Sequence, residues 1–396
     1  MAKPMEMEEV NRPLTELPVG SRRFHRSAFV DYQFNRMYGL GYADPDELGA
    51  AARRIRSPRE APAVLHELSA HARAEGRLRH ATSYLRGAEF FTPHDSPDKR
   101  STYREYRALF DLAFADVPMC RHEIPYEGGA LPAYHLLTSK GSAKHAVLVH
   151  GGFDSFIEEF FPIWERIAAA GYDVIAFDGP GQGGARALHG ITHDHDWEKP
   201  VRVVLDAFGL DRATLVGISM GGYWAMRAAA YEPRIERVVA WPPVYDFMEQ
   251  VGPRMRRVVE WMLGFPRFVD PLVRLRMRLF DVLEHAVKQA NYISGGHEPM
   301  DAIRWMLGMN AEHLGSERIE ADVLLLAGEH DAFQPLRLAR AQERACAGAR
   351  SVTTRVFTRE EHADSHCQIG NLALACRVLT DWLDHGASID VAPTST

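Results

Sequence analysis

The sequence has little that would stabilise a disulfide-bonded or zinc-bound fold, and no segment long enough to cross a membrane. Its 396 residues include four cysteines, unevenly spaced and without a C-x-x-C pair, which excludes a disulfide framework and a structural zinc site. No run of about 18 apolar residues occurs, so no transmembrane helix is expected. The opening residues, MAKPMEMEEV, lack the apolar stretch of a signal peptide. We therefore expect a cytoplasmic protein with no membrane partner.

An excess of basic charge is also absent. Lysine and arginine total 46 against 53 acidic residues, a net charge of −7. Nucleic-acid-binding surfaces are rich in clustered lysine and arginine, so no nucleic-acid partner is expected. Apolar residues make up 46% and charged residues 25%, which is typical of a globular protein and argues against extended disorder. No motif indicates a cofactor, and we expect none.

The hydrophobic pattern divides the chain into regions. An N-terminal stretch with helical spacing is followed by short apolar runs that alternate with amphipathic segments, which predicts a mostly parallel sheet with helices on both faces. A long helical insertion interrupts this alternation and predicts a cap over the strand ends. The expected regions are an N-terminal helical region (1–120), an α/β core (121–243 and 319–386), a helical cap (244–318) and a flexible tail (387–396).

The strands of this sheet are predicted from buried apolar runs. Two stretches between the runs, EEFFPIWERIAAAGY and WEKPVRVVLDAFGLD, have helical spacing and are closed by glycine. The predicted strands cover residues 146–150, 173–178, 214–219, 237–241, 322–331 and 353–358.

A G-x-S-x-G motif follows the third of these runs. Ser219 stands between Gly217 and Gly221, after an apolar strand and before the helical stretch GYWAMRAAAYE. A serine on a tight strand-to-helix turn needs neighbours without side chains, and the turn exposes its Oγ at the carboxyl end of the sheet. The alternative is an ordinary packing turn, for which no catalytic partners are needed. The motif therefore predicts a nucleophile at Ser219, provided that partners exist.

A glycine-containing loop, HGGFDSFIEEF, follows the first central strand. A tetrahedral oxyanion needs two backbone N–H donors held in place before the reaction. Met220, directly after the serine, is the first expected donor, and Phe153 in the loop is the second. Gly151 and Gly152 let this backbone approach closely.

Part of the same loop has a structural interpretation. Ser155 and Glu158 form an S-x-x-E pattern, which predicts a capping box that opens the next helix. Asp154 and Glu159 fit either a structural or a functional role.

The remaining partners are an acid and a base, in the chain order Ser, Asp, His. Asp331, after the next-to-last strand, is the predicted acid, while Glu329 and His330 beside it are expected to be solvated; Asp246, where the cap begins, is the rival. Two histidines follow the last strand. His366 directly precedes a helical stretch, whereas His362 lies among charges, so motif position favours His366 as the base.

Four other features do not fit a functional role well. GPGQGG (179–184) is not a phosphate-binding pattern and is interpreted as a tight turn. HDHD (193–196) consists of consecutive residues whose side chains do not converge, so no metal site is expected. The arginines of VRLRMRLF (273–280) are interpreted as solvated side chains of a cap helix. Cys367 is expected to be a small buried apolar residue.

The chain resembles the α/β-hydrolases, and within them the group that contains 2,6-dihydroxypseudooxynicotine hydrolase and the fungal pigment hydrolases that shorten polyketide chains. The matching segments, spread over about residues 75–371, are YLRGAEFF, GGFDSFIEE, DGPGQGG, GISMGGYWAMRAA, GEHD and HCQIGN.

The resemblance implies an α/β-hydrolase fold with Ser219, Asp331 and His366 as the triad, and it selects His366 over His362. It implies an apolar or aromatic small-molecule substrate and a homodimer. Cleavage of a carbon–carbon bond in an aromatic or polyketide-like β-diketone is the expected activity. A carboxylesterase for bulky apolar esters is the first alternative. A non-catalytic binding protein on the same fold is the second, and the complete triad argues against it.

Overall fold

The structure is a computed structural model that describes residues 16–138, 140–141, 143–250 and 253–386. The predicted flexible tail, 387–396, lies outside the described residues. The chain forms two compact units. The helical unit comprises residues 16–118 with two short segments, 158–162 and 369–373, and the sheet unit holds the other described residues.

The helical unit is built from amphipathic helices, and the helix Pro45–Arg54 has a side-chain cap at its beginning. The Asp44 side chain accepts hydrogen bonds from the N–H groups of Asp46 and Glu47, and Pro45 occupies the first helical position, so this helix begins with two favourable signals. Buried aromatic side chains, including Phe34 and Tyr84, fill the interior. Its α-helices are Ala28–Gly39, Pro45–Arg54, Ala61–Ala74, Leu78–Phe91 and Asp98–Ala113.

A network of buried charges also lies within the helical unit. Arg86 contacts Glu89 at 2.7 Å and Glu159 at 2.9 Å, and Lys99 contacts Glu89 at 2.8 Å. Arg36 pairs with Glu159 as well. Because unpaired buried charges are costly, this mutual pairing explains how the charges are tolerated. Glu159 therefore has a structural role.

The sheet unit contains an eight-stranded, mostly parallel sheet. The spatial order is β1-β2-β4-β3-β5-β6-β7-β8; β3 to β8 are parallel, and the β1–β2 and β2–β4 pairs are antiparallel. The central strands are buried on both faces, as expected for a parallel sheet covered by helices. The strands are β1 Met119–Tyr126, β2 Gly129–Leu136, β3 Ala146–His150, β4 Asp173–Phe177, β5 Ala213–Ile218, β6 Ile235–Trp241, β7 Asp322–Gly328 and β8 Ser351–Phe357.

The β1–β2 hairpin was not predicted from the sequence. Glu127 and Gly128 join the strands with φ values of 45° and 79°, as in a type I′ turn. Most side chains of β1 are exposed, so this strand lacks the apolar run that marks the others. The turn residues Glu127 and Gly128 were the feature from which this hairpin could have been predicted.

Helices cover the sheet and form the insertion between β6 and β7. None of the described helices is both long and apolar enough to span a bilayer. The helices between strands are Phe161–Ala169, Gly183–Ala187, Glu198–Ala207, Gly221–Tyr231 and Leu336–Ala345, and Leu372–His385 follows β8. The insertion contains Pro253–Leu263, Pro266–Met277, Asp281–Ser294, Pro299–Gly308 and Ala311–Leu314.

Candidate active site

Ser219 occupies a strained turn between β5 and the helix Gly221–Tyr231. Its φ is 60°, a left-handed conformation that non-glycine residues rarely adopt. A Cβ on Gly217 would overlap the carbonyl oxygen of Gly221, and a Cβ on Gly221 would overlap that of Gly151. The two glycines of the motif are therefore required by the close approach of backbone segments.

Asp331, His366 and Ser219 form one hydrogen-bonded chain. His366 Nδ1 lies 2.7 Å from Asp331 Oδ2, and His366 Nε2 lies 2.9 Å from Ser219 Oγ. An ionised carboxylate only accepts hydrogen bonds, so Nδ1 carries the proton and, in the neutral ring, Nε2 accepts from the serine hydroxyl. The other oxygen, Asp331 Oδ1, accepts the N–H groups of Phe333 and Gln334, both at 2.8 Å. These bonds hold the carboxylate in place.

The protonation of His366 is set by opposing effects. Burial disfavours the charged ring, but the neighbouring Cys367 side chain and the Asp331 carboxylate favour it, and the pKa of His366 lies well above its usual value. Asp331 is itself buried, so its interaction with the ring is weakly screened. The arrangement stabilises the imidazolium that forms when the ring takes a proton.

The rival acid, Asp246, makes other contacts, and the rival base, His362, is exposed. Asp246 accepts hydrogen bonds from the N–H groups of Met248 at 2.8 Å and Ala311 at 3.1 Å, at the beginning of two cap elements. His362 is exposed. His330 is also exposed and contacts Asp364 at 3.1 Å, as expected of a solvated loop residue.

The predicted oxyanion donors are the N–H groups of Phe153, in the loop after β3, and of Met220, directly after Ser219. Neither the Phe153 N–H nor the Met220 N–H donates a hydrogen bond to another residue in the described part of the chain. A Cβ on Gly152 would lie 2.7 Å from Met220 N and 2.9 Å from Ser219 Cβ, so the loop before Phe153 packs directly on the serine turn. Two backbone donors are therefore available beside Ser219.

Gln182 and His150 hold this loop. Gln182 Nε2 donates to the carbonyl oxygens of Gly151 at 2.7 Å and Gly152 at 3.1 Å, and Gln182 Oε1 accepts from the Gly179 N–H at 2.9 Å. His150 Nδ1 lies 3.0 Å from the Gly151 oxygen. The pattern GPGQGG was interpreted only as a tight turn, so this contact was not predicted; the polar side chain among glycines was the local signal for it.

The capping box predicted at Ser155 and Glu158 does not open the next helix. The α-helix begins at Phe161, after a 3-10 turn from Ile157 to Phe160. Ser155 Oγ instead accepts the Gly152 N–H at 2.7 Å. Ser155 thus holds the backbone of Gly152 in place. An S-x-x-E pattern alone does not indicate this contact.

The cap contacts the same loop. Gln289, on the helix Asp281–Ser294, donates from Nε2 to the Phe153 carbonyl oxygen at 2.5 Å. The Phe153 ring is stacked on Trp305 of the cap, with centroids 6.1 Å apart. The cap therefore supplies both a polar and an aromatic contact beside the candidate oxyanion donor.

The HDHD segment belongs to a buried aromatic cluster. His193 is buried, and its Nδ1 lies 3.1 Å from Trp305 Nε1. Asp196 pairs with Arg227 at 3.1 Å and with Lys199 at 3.0 Å. These contacts give the segment a packing role.

One group of side chains in the described part of the chain brings three metal-ligand atoms together: Glu47, His71 and Glu75, in the helical unit. Glu47 and Glu75 both pair with Arg77, at 2.6 and 2.5 Å. A cation at this position would compete with the guanidinium. We assign no metal or cofactor to these residues.

The sheet order and the serine turn are those of the α/β-hydrolase fold, and the chain belongs to that family. A family profile described as "alpha/beta hydrolase fold" matches residues 144–278. The chain is therefore a hydrolase, an enzyme of α/β fold.

Particular relatives support this assignment. The hydrolase LUC6 of Fusarium sp is 30% identical over 360 residues, which cover 78% of this chain and 83% of LUC6. The hydrolase acrC of Aspergillus aculeatus is 34% identical over 212 residues, which cover 46% of this chain and about half (49%) of acrC. The crystal structure of 2,6-dihydroxy-pseudo-oxynicotine hydrolase superposes with a TM-score of 0.64 at 21% identity, covering 92% of this chain and 99% of that one, and shows the shared fold.

Proposed function

We propose that the chain is a serine hydrolase in which Ser219 is the nucleophile, His366 the base and Asp331 the acid that orients it. The single observation that supports this most strongly is the continuous chain of hydrogen bonds, 2.7 Å and 2.9 Å long, that ends on the serine hydroxyl. A serine with a bonded base, and a base oriented by a third group, are the parts that nucleophilic catalysis requires.

In the proposed reaction His366 Nε2 takes the hydroxyl proton as Ser219 Oγ attacks a substrate carbonyl carbon. The N–H groups of Phe153 and Met220 donate to the oxygen that becomes negative. The Asp331 carboxylate stabilises the imidazolium. Each group then acts where charge develops, which is the condition for lowering the barrier.

The bond that we propose is broken is a carbon–carbon bond of a β-diketone. Collapse of the tetrahedral adduct breaks the bond between the attacked carbon and the carbon between the two carbonyls, and the electron pair becomes an enolate. The His366 imidazolium protonates that carbon and releases a ketone. His366 then deprotonates water, which attacks the acyl carbon on Ser219. The bond between this carbon and Ser219 Oγ breaks, the His366 imidazolium returns its proton to Oγ, and a carboxylic acid is released. This choice rests on the resemblance in motifs.

An aromatic or polyketide-like substrate is supported by the side chains around the site. The Phe153 and Trp305 rings are stacked beside the candidate donor, and Phe333 contacts the His366 ring with centroids 5.0 Å apart. Aromatic surfaces favour apolar, planar ligands. Cleavage of a bulky ester is the second candidate, because the triad and the two donors suffice to expel an alkoxide.

The two candidates differ in the substrates that they turn over. We expect acylated phenolic β-diketones to be cleaved to an acid and a ketone with a higher kcat/KM than p-nitrophenyl esters of matched acyl size. Fast ester turnover without diketone cleavage would overturn the carbon–carbon assignment and leave the triad intact.

The base is tested by a matched pair of variants. His366→Ala is expected to lose turnover, whereas His362→Ala, in the same loop, is expected to keep it. The reverse result would show that the base is His362.

A further inference from the structure

The cap carries an apolar stripe that faces outward. The stripe lies on the helix Pro266–Met277 and the turn that ends it. Its members are Phe268 (74% exposed), Leu272 (64%), Leu275 (56%) and Leu279 (72%). Their spacing of four, three and four residues places them on one helix face. Val269 and Asp270, about a quarter to a half turn away, are buried, so the helix packs on its other side.

The stripe continues onto neighbouring elements. Trp261 is 62% exposed and its ring lies 5.2 Å from that of Phe265, which is also exposed, and Phe280 follows the stripe. We call these residues together the outer cap surface: Trp261, Phe265, Phe268, Leu272, Leu275, Leu279 and Phe280. Contiguous exposed apolar residues of this kind mark an interaction surface.

Arginines border the outer cap surface. Arg267, Arg274 and Arg278 recur at intervals of seven and four residues along one side of the stripe, and Arg276 lies on the other side. Residues 253–280 contain seven arginines but one glutamate and one aspartate, a net charge of +5 in a chain of net charge −7.

Most of these arginines form no ion pair with the residues that the structure describes. Arg274 pairs with Glu298, and Arg256 pairs with Glu249 and Glu260. No ion pair within the described ranges involves the other arginines, which are Arg254, Arg257, Arg267, Arg276 and Arg278. Their charge is available to an external partner.

The charge pattern distinguishes between two possible partners of the outer cap surface, a second copy of the chain and an anionic lipid surface. In a symmetric dimer the same patch meets itself, so the arginine borders of two copies would face each other and repel. An anionic lipid surface supplies opposite charge to the arginines and an apolar boundary to the tryptophan, phenylalanine and leucine side chains. We propose that the outer cap surface docks in the plane of a bilayer that contains anionic lipid. The expectation of no membrane partner rests on the lack of a spanning segment, and an in-plane helix needs none.

Vesicle flotation of the full chain tests this proposal. Phosphatidylcholine vesicles are compared with vesicles that also contain about 30% phosphatidylglycerol, at low salt and at about 1 M NaCl. The variants are L272Q/L275Q for the stripe and R267Q/R278Q for the border. The matched controls are Leu112→Gln, which is 53% exposed, and Arg344→Gln, also exposed, both outside the cap.

The wild-type chain is expected to float with anionic vesicles and to be released by high salt. R267Q/R278Q is expected to bind about thirtyfold more weakly, since each arginine near an anionic surface contributes about fivefold. L272Q/L275Q is expected to lose binding, while the controls bind as wild type and all four keep turnover of a soluble ester.

Three results would overturn the proposal. Equal binding to neutral vesicles would remove the role of the arginines. A dimer that forms without lipid and dissociates in L272Q/L275Q would identify a second copy as the occupant. Binding of soluble polyglutamate without vesicle binding would identify an acidic protein surface instead.

Discussion

Gln182 offers a test of how the oxyanion loop is held, through the variant Gln182→Met. This side chain is buried and makes three hydrogen bonds, to Gly179, Gly151 and Gly152. Methionine has a similar volume but cannot replace them. Each of the three lost bonds costs about 1 kcal/mol, and the orphaned Gly179 N–H adds about 1–3 kcal/mol, so we expect about 4–6 kcal/mol of lost stability.

The effect on catalysis is the more specific expectation. Complete loss of one oxyanion donor costs about 10²–10³ in kcat, and a loosened loop loses part of that, so we expect at least about a tenfold fall in kcat with little change in KM. Gln342→Met is the control: Gln342 is fully buried and donates to Ser316 Oγ at 2.9 Å and Cys346 Sγ at 3.2 Å.

The assay measures urea unfolding and steady-state kinetics of both variants, at a temperature where both are folded. Both are expected to lose stability, and Gln182→Met alone is expected to lose kcat. A kcat of Gln182→Met that matches that of Gln342→Met would refute the positioning role.

Two further predictions concern ionisation. The base must be neutral and the pKa of His366 is raised, so kcat/KM should rise with pH through a value above the usual pKa of about 6.5. Asp331→Asn should shift this rise of kcat/KM to lower pH and reduce kcat by about 10⁴. A rise at the same pH as in the wild type would contradict the effect of Asp331 on the pKa of His366. Burial lowers the pKa of His150 to about 4. The unfolded chain then binds a proton that the folded chain does not, so stability is complete above about pH 6.5 and falls toward pH 4. Between pH 7.5 and pH 5 the contribution of His150 to this loss is about 2 kcal/mol, and the buried His193 and the half-buried His195, whose pKa values are also lowered, add to the total. In urea unfolding His150→Gln should therefore lose about 2 kcal/mol less than the wild type over this range; an equal loss in both would contradict the prediction.

The fold class was predictable because buried parallel strands have a strong local signal. The predicted strand 146–150 has the same bounds as β3, since every residue of AVLVH is apolar or lies at the strand end. The prediction of an α/β-hydrolase fold is confirmed by the sheet order and by the relatives. The β1–β2 hairpin was not predicted because β1 is an exposed edge strand without a continuous apolar run.

The candidate site was predictable only in part. The structure brings together Ser219, Asp331 and His366, which motif position and chain order had selected, and their roles remain predictions. Gln182 and Gln289 were not identified. Each contacts the oxyanion loop from 30 or more residues away in sequence. For Gln182 the local signal was a polar side chain among glycines, and Gln289 has no comparable pattern around it.

The central claim is that Ser219 is the nucleophile, and covalent labelling tests it most directly. The chain is incubated with a fluorophosphonate probe and digested, and the modified peptide is identified by mass spectrometry, with Ser219→Ala as the comparison. The account predicts stoichiometric labelling of Ser219 in the wild type and none in the variant. Labelling that persists in Ser219→Ala would contradict it.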